Sequence, residues 1–251
     1  MGSLAALIPL LETHGLSKTF GGVEAVRAAD VRIDQGEIRA LIGPNGAGKT
    51  TLVSMICGRL TPTSGRILFK DRDITRTRPY ERVAIGIVYT FQVSSIFRHL
   101  TAFENVALAA QRRLTRRGWD HVVLDERRLA DDVERALAQT GLEEIGGRVA
   151  GSLPHGHQKL LELSMALALH PRLLVLDEPT QGLSAGEIAA FAHLIRGIAG
   201  TTTVLLIEHN LRLVLDLSQR ITVMNAGRII AEGTPAEIAA NRDVQRAYLG
   251  P

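Results

Sequence analysis

Residues 43–51 form a glycine-rich stretch, Gly-Pro-Asn-Gly-Ala-Gly-Lys-Thr-Thr, that fits the pattern G-x-x-x-x-G-K-[ST]. The mostly apolar residues 38–42 before it predict a buried strand, and residues 51–57 predict a helix that ends near Gly58. A strand, a glycine-rich loop and a helix in this order favour a phosphate-binding loop, because backbone N–H groups and the helix N-terminus both attract an anion. The residues expected to contact phosphate are Gly43, Pro44, Asn45, Gly46, Ala47, Gly48, Lys49, Thr50 and Thr51.

A second strong pattern, at residues 173–179, is an apolar run followed by two adjacent acids, Asp177 and Glu178. Such a strand end presents one carboxylate to the water shell of Mg²⁺ and places the next where it polarises a water molecule. Lys49 is then expected to bridge the β- and γ-phosphates of a nucleotide, and Thr50 to hold the Mg²⁺. The alternative, a charged strand end at a turn, is disfavoured by the phosphate-binding loop upstream.

The composition is that of a folded α/β chain with a sizeable core. The 251 residues are 45% hydrophobic and 22% charged, which suits one large domain with a small subdomain and argues against disorder. The net charge of +3 does not distinguish one class of partner from another. Because only 4% of the residues are aromatic, no nucleic-acid partner is expected. The basic run 111–117 is interpreted as a solvated helix end or loop, or else as a contact to a partner or a lipid headgroup.

The single cysteine and the first residues of the chain indicate the cellular compartment to expect. Cys57 has no second cysteine to pair with, so no intrachain disulfide is possible, and its position on the predicted helix suits simple packing. The apolar residues 4–11 are interrupted by Pro9, are far too few to span a membrane and follow no basic segment, so a signal peptide is not expected. We therefore expect a soluble or peripherally attached chain.

Strands and helices alternate along most of the chain, which predicts a mostly parallel sheet. Residues 10–42 turn like antiparallel strands, and residues 93–165 are mainly helical. Thr101 and Glu104 form a capping-box pattern before a helix over 102–113, and a second helix over 125–140 is closed by Gly141. Four polar residues follow predicted strands and are expected to converge at the carboxyl edge of the sheet. They are Lys49, Gln92, Asp177 and His209.

With both motifs in place, the chain resembles the ATP-binding cassette family from about residue 11 to 249. Gln92 matches the Q-loop, His209 the switch histidine and residues 182–184 the D-loop, while Phe20 lies where this family stacks an aromatic ring on adenine. The order and spacing of these weak matches, together with the two strong ones, carry the resemblance. It implies an α/β fold with a P-loop NTPase core of mostly parallel sheet, an antiparallel β subdomain and a helical subdomain. It also implies one domain over 11–250, with the helical part at about 93–165.

The signature segment of the family is altered in this chain. It spans residues 153–158 and includes Pro154, His155, Gly156 and His157, with proline where the family usually has a serine that contacts the γ-phosphate held by the other subunit. Proline supplies neither a hydroxyl nor a backbone N–H. Two interpretations remain open: activation of the opposite site is impaired, or Pro154 is a tolerated helix-start proline. Gly156 and a following helix over 158–168 are retained.

Three segments resemble the ATPase subunits of branched-chain amino acid uptake systems: residues 89–92, 100–106 and 244–250. One departure is Tyr89, because that group more often has an arginine just before Thr-Phe-Gln. Importers of this group generally combine two different ATPase subunits, two membrane subunits and a solute-binding protein.

The resemblance implies an ATP-hydrolysing subunit of an ABC importer, with ATP and Mg²⁺ bound. Phe20 and Val26 would contact the adenine, and Thr50, Gln92 and Asp177 would complete the Mg²⁺ shell. Glu178, His209 and Lys49 would carry the chemistry. The implied partners are a second ATPase subunit, transmembrane permease subunits and, indirectly, a solute-binding protein, at the cytoplasmic face of the cell membrane. Alternatives are a catalytically weak half of a heterodimer, an exporter subunit, and a soluble ATPase acting on nucleic acid or ribosomes.

Overall fold

The computed structural model describes residues 9–90, 96–114 and 126–249. The chain divides into two compact units: unit one takes its described residues from Met1–Arg82 and Ala199–Pro251, and unit two from Val83–Ile198. The elements before residue 90 are β1 Leu11–Phe20, β2 Val23–Ile33, β3 Ile38–Ile42, α1 Lys49–Ile56, β4 Ser64–Phe69, β5 Arg72–Asp73, α2 Pro79–Ile85 and β6 Ile87–Thr90. Those that follow are α3 Ala102–Leu114, α4 Glu126–Thr140, α5 His155–Leu167, β7 Leu173–Asp177, α6 Ala185–Ala199, β8 Thr203–Ile207, α7 Leu211–Leu217, β9 Arg220–Asn225, β10 Arg228–Gly233, α8 Pro235–Ala240 and α9 Arg242–Leu249.

Unit one contains an antiparallel sheet in the order β2-β1-β4-β5. The β1–β2 hairpin turns through Gly21 and Gly22, and its register pairs Leu11 with Ile33 and Phe20 with Val23. Glycine suits this turn because both residues have a positive φ, of 51° and 89°. The predicted antiparallel strands are thus confirmed for β1 and β2.

Unit one also contains the adjacent strands β10-β9-β3-β8. β3 pairs in parallel with both β8 and β9, whereas β9 and β10 form an antiparallel hairpin. Every residue of β3 and β8 is buried, as expected for parallel strands covered on both faces. The prediction that residues 10–42 are all antiparallel is therefore wrong for β3, whose unbroken apolar run has no polar face to present to solvent.

Unit two combines a parallel pair, β6 and β7, with a helical core. In this core α3, α4 and α5 bury Val106, Val133, Leu137 and Leu161 against one another. The predicted capping box is confirmed: the Glu104 amide donates to Thr101 Oγ1 at 3.1 Å, and the Thr101 amide donates to Glu104 Oε2 at 2.7 Å. Within the described ranges, no helix is both long and apolar enough to cross a membrane.

Helix α5 begins at His155, three residues before the predicted start at 158. Pro154 is its N-cap residue, with φ −54° and ψ 153°, and the Gln158 amide donates to the Pro154 carbonyl at 3.0 Å. The first turn was not predicted, because His-Gly-His after a proline lacks the usual capping pattern. The backbone nevertheless accommodates Pro154, since a fixed φ near −65° is compatible with a helix start.

Arg82 is a buried side chain that organises the end of α1. It is 1% exposed, and burial lowers the pKa of its guanidinium, which remains a cation because the ordinary value is so high. Its three nitrogens donate to backbone carbonyls at 2.6–3.1 Å. The acceptors belong to Met55, Ile56, Ile74, Thr75 and Thr77.

Replacing Arg82 with leucine is expected to lower the free energy of unfolding by about 3–4 kcal/mol. Each buried carbonyl that loses its partner costs about 1–3 kcal/mol, and local relaxation recovers part of that. Urea unfolding of the purified chain measures the change, with Arg78→Leu as the exposed control. If both variants lose about the same stability, Arg82 does not organise this region.

Candidate functional site

The phosphate-binding loop leaves the buried end of β3 and leads directly into α1, as the motif predicts. Its glycines are required by geometry: Gly43 and Gly48 have φ of 152° and 100°. A Cβ at Gly43 would collide with the carbonyl of Met224, and one at Gly48 with the carbonyl of Ala25. The loop is therefore held against neighbouring backbone in a conformation that other residues cannot adopt.

Lys49 lies along the inside of this loop. Its side chain is 7% exposed, and Nζ donates to the carbonyls of Gly43 at 2.7 Å and Pro44 at 3.1 Å. Asn45, Gly46 and Thr50 are exposed. A buried ammonium beneath exposed backbone and a hydroxyl in the first helical turn is a donor set that fits a polyphosphate and its Mg²⁺.

His209 follows the strand next to β3. β3 and β8 pair in parallel with Leu41 opposite Ile207, so Gly43 and His209 each come two residues after a directly paired position. The phosphate-binding loop and the histidine therefore leave the same edge of unit one on neighbouring strands. His209 is exposed.

Two residues that were not predicted to have a role hold the backbone around His209. Glu208 is 4% exposed, and its Oε2 accepts hydrogen bonds from the amides of His209 at 3.0 Å and Asn210 at 3.3 Å. Asn210 then caps α7 by accepting from the amide of Leu213 at 3.2 Å. The signal in the sequence was an acid directly after the mostly apolar run 203–207, because a carboxylate buried there needs partners close by.

The two residues expected at the adenine differ in accessibility. Phe20, at the end of β1, is 47% exposed, and the Lys18 ammonium lies 5.2 Å from its ring centroid. Val26 is completely buried and lies beneath Gly48. In this structure Val26 supports the phosphate-binding loop from below, and Phe20 has an exposed aromatic face.

In unit two, β7 ends at the predicted acids. Asp177 is 5% exposed, and its Oδ2 accepts a hydrogen bond of 2.6 Å from the phenol of Tyr89. Glu178 is half-buried with φ 49°, a left-handed conformation that is uncommon for a residue with a Cβ. Backbone strain of this kind clusters at functional sites.

Convergence of the four strand-end residues remains a prediction. Lys49 and His209 leave neighbouring strands of unit one, and Asp177 ends a strand of unit two. Gln92 lies outside the described residues, as do residues 115–117 of the basic run.

The signature and D-loop segments lie next to each other in unit two. Pro154, His155 and His157 are exposed, while Gly156 faces the Glu187 carboxylate so closely that a Cβ would collide with it. A Cβ at Gly182 would come within 3.2 Å of His155 Nε2. Glu187 was not predicted, although Ser184 and Glu187 match the spacing of a capping box.

Glu187 anchors the start of α6. Its Oε2 accepts hydrogen bonds from the hydroxyl of Ser184 at 2.7 Å and from the amide of Ser184 at 2.8 Å. The Ser184 hydroxyl and then its amide lower the pKa of Glu187 below its usual value, and His155 and His157 act in the same direction. The signature segment therefore lies beside a negatively charged carboxylate that is held in place by hydrogen bonds.

Comparison with known proteins agrees with this geometry. The family model described as "ABC transporter" matches residues 26–181, and the model described as "Branched-chain amino acid ATP-binding cassette transporter" matches residues 228–250. The high-affinity branched-chain amino acid transport ATP-binding protein LivG of Escherichia coli (strain K12) is 39% identical, covering 96% of this chain and 98% of its own. The corresponding protein BraF of Pseudomonas aeruginosa is 36% identical, covering 96% and 98%.

Solved structures give the same result. A nucleotide-free ATP-binding cassette from an ABC transporter is 30% identical with a TM-score of 0.85, covering 97% of this chain and all of its own. The ADP conformation of MJ1267, an ATP-binding cassette of an ABC transporter, is 30% identical with a TM-score of 0.86, covering 97% and 99%. The chain therefore belongs to the ABC transporter family, and it is one of that family's ATP-binding, ATP-hydrolysing subunits.

Proposed function

We propose that the chain drives an importer of branched-chain amino acids or similar small polar solutes. The observation that carries this proposal is the match of residues 228–250 to a model specific to branched-chain amino acid cassettes. Residues 228–249 contain β10, α8 and α9, in which Ile238 and Val244 are buried against the strand hairpin. The relatives with branched-chain amino acid transport in their names span almost the whole chain.

Uptake into proteoliposomes tests the substrate class. The chain is reconstituted with the permease subunits and solute-binding protein that co-purify with it, and uptake of labelled leucine, an amide and urea is compared. The same assembly with Lys49→Ala is the control for ATP-driven entry. ATP-dependent uptake of leucine supports the branched-chain class, uptake of the amide or urea supports the wider class of small polar solutes, and ATP-dependent uptake of none of the three would refute the proposal.

Nucleotide binding is assigned to the phosphate-binding loop and to the residues around it. Residues 43–51 would hold the phosphates, and the exposed ring of Phe20 would stack on the adenine. Thr50, Gln92 and Asp177 would hold Mg²⁺, partly through water molecules. The ion supplies positive charge that offsets the charge developing on the phosphates.

The chemical step is assigned to groups at the strand ends. Glu178 would orient the attacking water and accept its proton, and the left-handed backbone at this residue supports a specialised position. His209 would donate a hydrogen bond to the γ-phosphate from a backbone fixed by Glu208. Lys49 would leave the carbonyls of Gly43 and Pro44 to contact phosphate oxygens.

Activity is proposed to require a second ATPase subunit, identical or different, that faces this one head to tail. The signature segment of each subunit would then complete the site of the other. The same chain would be one domain over 11–250, docked on transmembrane permease subunits near Gln92 and the helical part at about 93–165. In such an assembly the chain would lie at the cytoplasmic face of the membrane.

A second candidate is a catalytically weak half of a heterodimer. It is favoured by Pro154, which caps α5 without a side-chain hydrogen bond and cannot offer a donor to a facing phosphate. Export by the same type of cassette is a further alternative, against which the match at 228–250 argues.

If Pro154 impairs the signature segment, Pro154→Ser is expected to raise ATP turnover about 10-fold. A restored hydroxyl and N–H can donate to a charged phosphate, and a hydrogen bond of this type contributes about 1.5–3 kcal/mol. Steady-state phosphate release measures the change, and Pro154→Ala is the matched control because it restores the N–H alone. Equal rates for all three chains would favour Pro154 as a tolerated helix-start residue.

A further inference from the structure

Tyr89 contacts Asp177 from the neighbouring strand. Its Oη lies 2.6 Å from Asp177 Oδ2, within the range of about 2.5–2.7 Å for a hydrogen bond from O–H to a charged carboxylate. Tyr89 is half-buried and Asp177 is 5% exposed, so the contact is largely removed from solvent. Hydrogen bonds to charged groups in such surroundings are about twice as strong as neutral ones.

The contact follows from the register of β6 and β7. The two strands are parallel, with Tyr89 opposite Val175. Asp177 lies two residues beyond Val175, so its side chain points to the same face of the pair. That offset is about 6–7 Å along the strand, since each residue advances about 3.3 Å. A long side chain with a donor at its tip spans this distance, and a short one at position 89 does not.

We propose that Tyr89 is a positioning residue for the carboxylate that serves Mg²⁺. This inference rests on the proposed assignment of Asp177 to the metal. The phenol takes up one acceptor position on Oδ2 and fixes the orientation of the carboxylate, which leaves Oδ1 directed elsewhere. Outer partners that orient a metal-binding group in this way typically change metal affinity by about 10- to 100-fold when they are removed.

The test measures the Mg²⁺ requirement for nucleotide binding. A non-hydrolysable fluorescent ATP analogue is bound to the purified chain at increasing free Mg²⁺, without turnover. Tyr89→Phe keeps the ring and removes only the hydroxyl, and it is expected to raise the half-saturating Mg²⁺ concentration about 10-fold. Binding measured without Mg²⁺ is expected to stay unchanged. Tyr80→Phe, at a tyrosine that is 46% exposed on α2, is the matched control and should shift neither value.

Two further variants, Asp177→Asn and the double variant with Tyr89→Phe, distinguish failure of this inference from failure of the Asp177 assignment on which it rests. Asp177→Asn should itself raise the half-saturating Mg²⁺ concentration, and Tyr89→Phe should add little in that background, because the phenol acts through the carboxylate. If Asp177→Asn raises this concentration and Tyr89→Phe does not, or if Tyr89→Phe lowers it, the positioning role is overturned. If Asp177→Asn has no effect, the assignment of Asp177 to the metal fails first.

Discussion

Glu178→Gln is expected to stop ATP hydrolysis while the chain still binds nucleotide. Removal of a general base typically slows the chemical step by about 10²- to 10⁴-fold. Glutamine has nearly the same shape, so the half-buried position and the positive φ of residue 178 are both retained. Steady-state phosphate release gives the rate, and equilibrium binding of ATP in the presence of Mg²⁺ gives the affinity.

Glu134→Gln is the control for this substitution, because Glu134 is an exposed residue on the outer side of α4. It should leave both rate and affinity unaltered. A Glu178→Gln chain that hydrolyses ATP at the normal rate would remove Glu178 from the chemical step, and the water would need another base.

Lys49→Ala is expected to reduce hydrolysis by at least about 10²-fold, because the loss of one charge-stabilising donor at a reacting group costs about 10²- to 10³-fold. Unlike Glu178→Gln, this change should also weaken nucleotide binding, since Lys49 is the buried cation of the phosphate-binding loop. Titration with a fluorescent ATP analogue, beside phosphate release, measures the two effects separately.

Lys70→Ala provides the comparison for this second variant, because Lys70 is an exposed residue at the turn after β4. Thermal unfolding without nucleotide shows whether the loop keeps its structure when the bonds to Gly43 and Pro44 are lost. Normal binding and turnover in Lys49→Ala would show that residues 43–51 are not the phosphate site.

The parts of the fold that were predictable from sequence depend on local patterns. β3, the loop and α1 were recognisable because the motif fixes its own flanking elements over a few residues. The start of α3 was predicted correctly, because the Thr101–Glu104 box specifies it, and the predicted end lay within one residue of the observed one. The buried run of β7 and the acids that follow it were equally local.

The parts that were missed depend on residues distant in sequence. Tyr89 was noticed only as a departure from a pattern, and its contact with Asp177 exists because β6 pairs with β7 in one particular register. Glu187 is placed beside Gly156 by the packing of α6 near the start of α5. Val26 lies buried beneath Gly48, because tertiary packing sets whether a strand residue is exposed, and its place beside the adenine stays a prediction.

Mg²⁺-dependent phosphate release, followed at increasing concentrations of the purified chain and of its Pro154→Ser variant, tests the central claim most directly. We expect release that requires Mg²⁺ and rises more steeply than in proportion to chain concentration, because each site needs the signature segment of a second subunit. Failure of both chains to release phosphate, or release that is indifferent to Mg²⁺, would contradict the account.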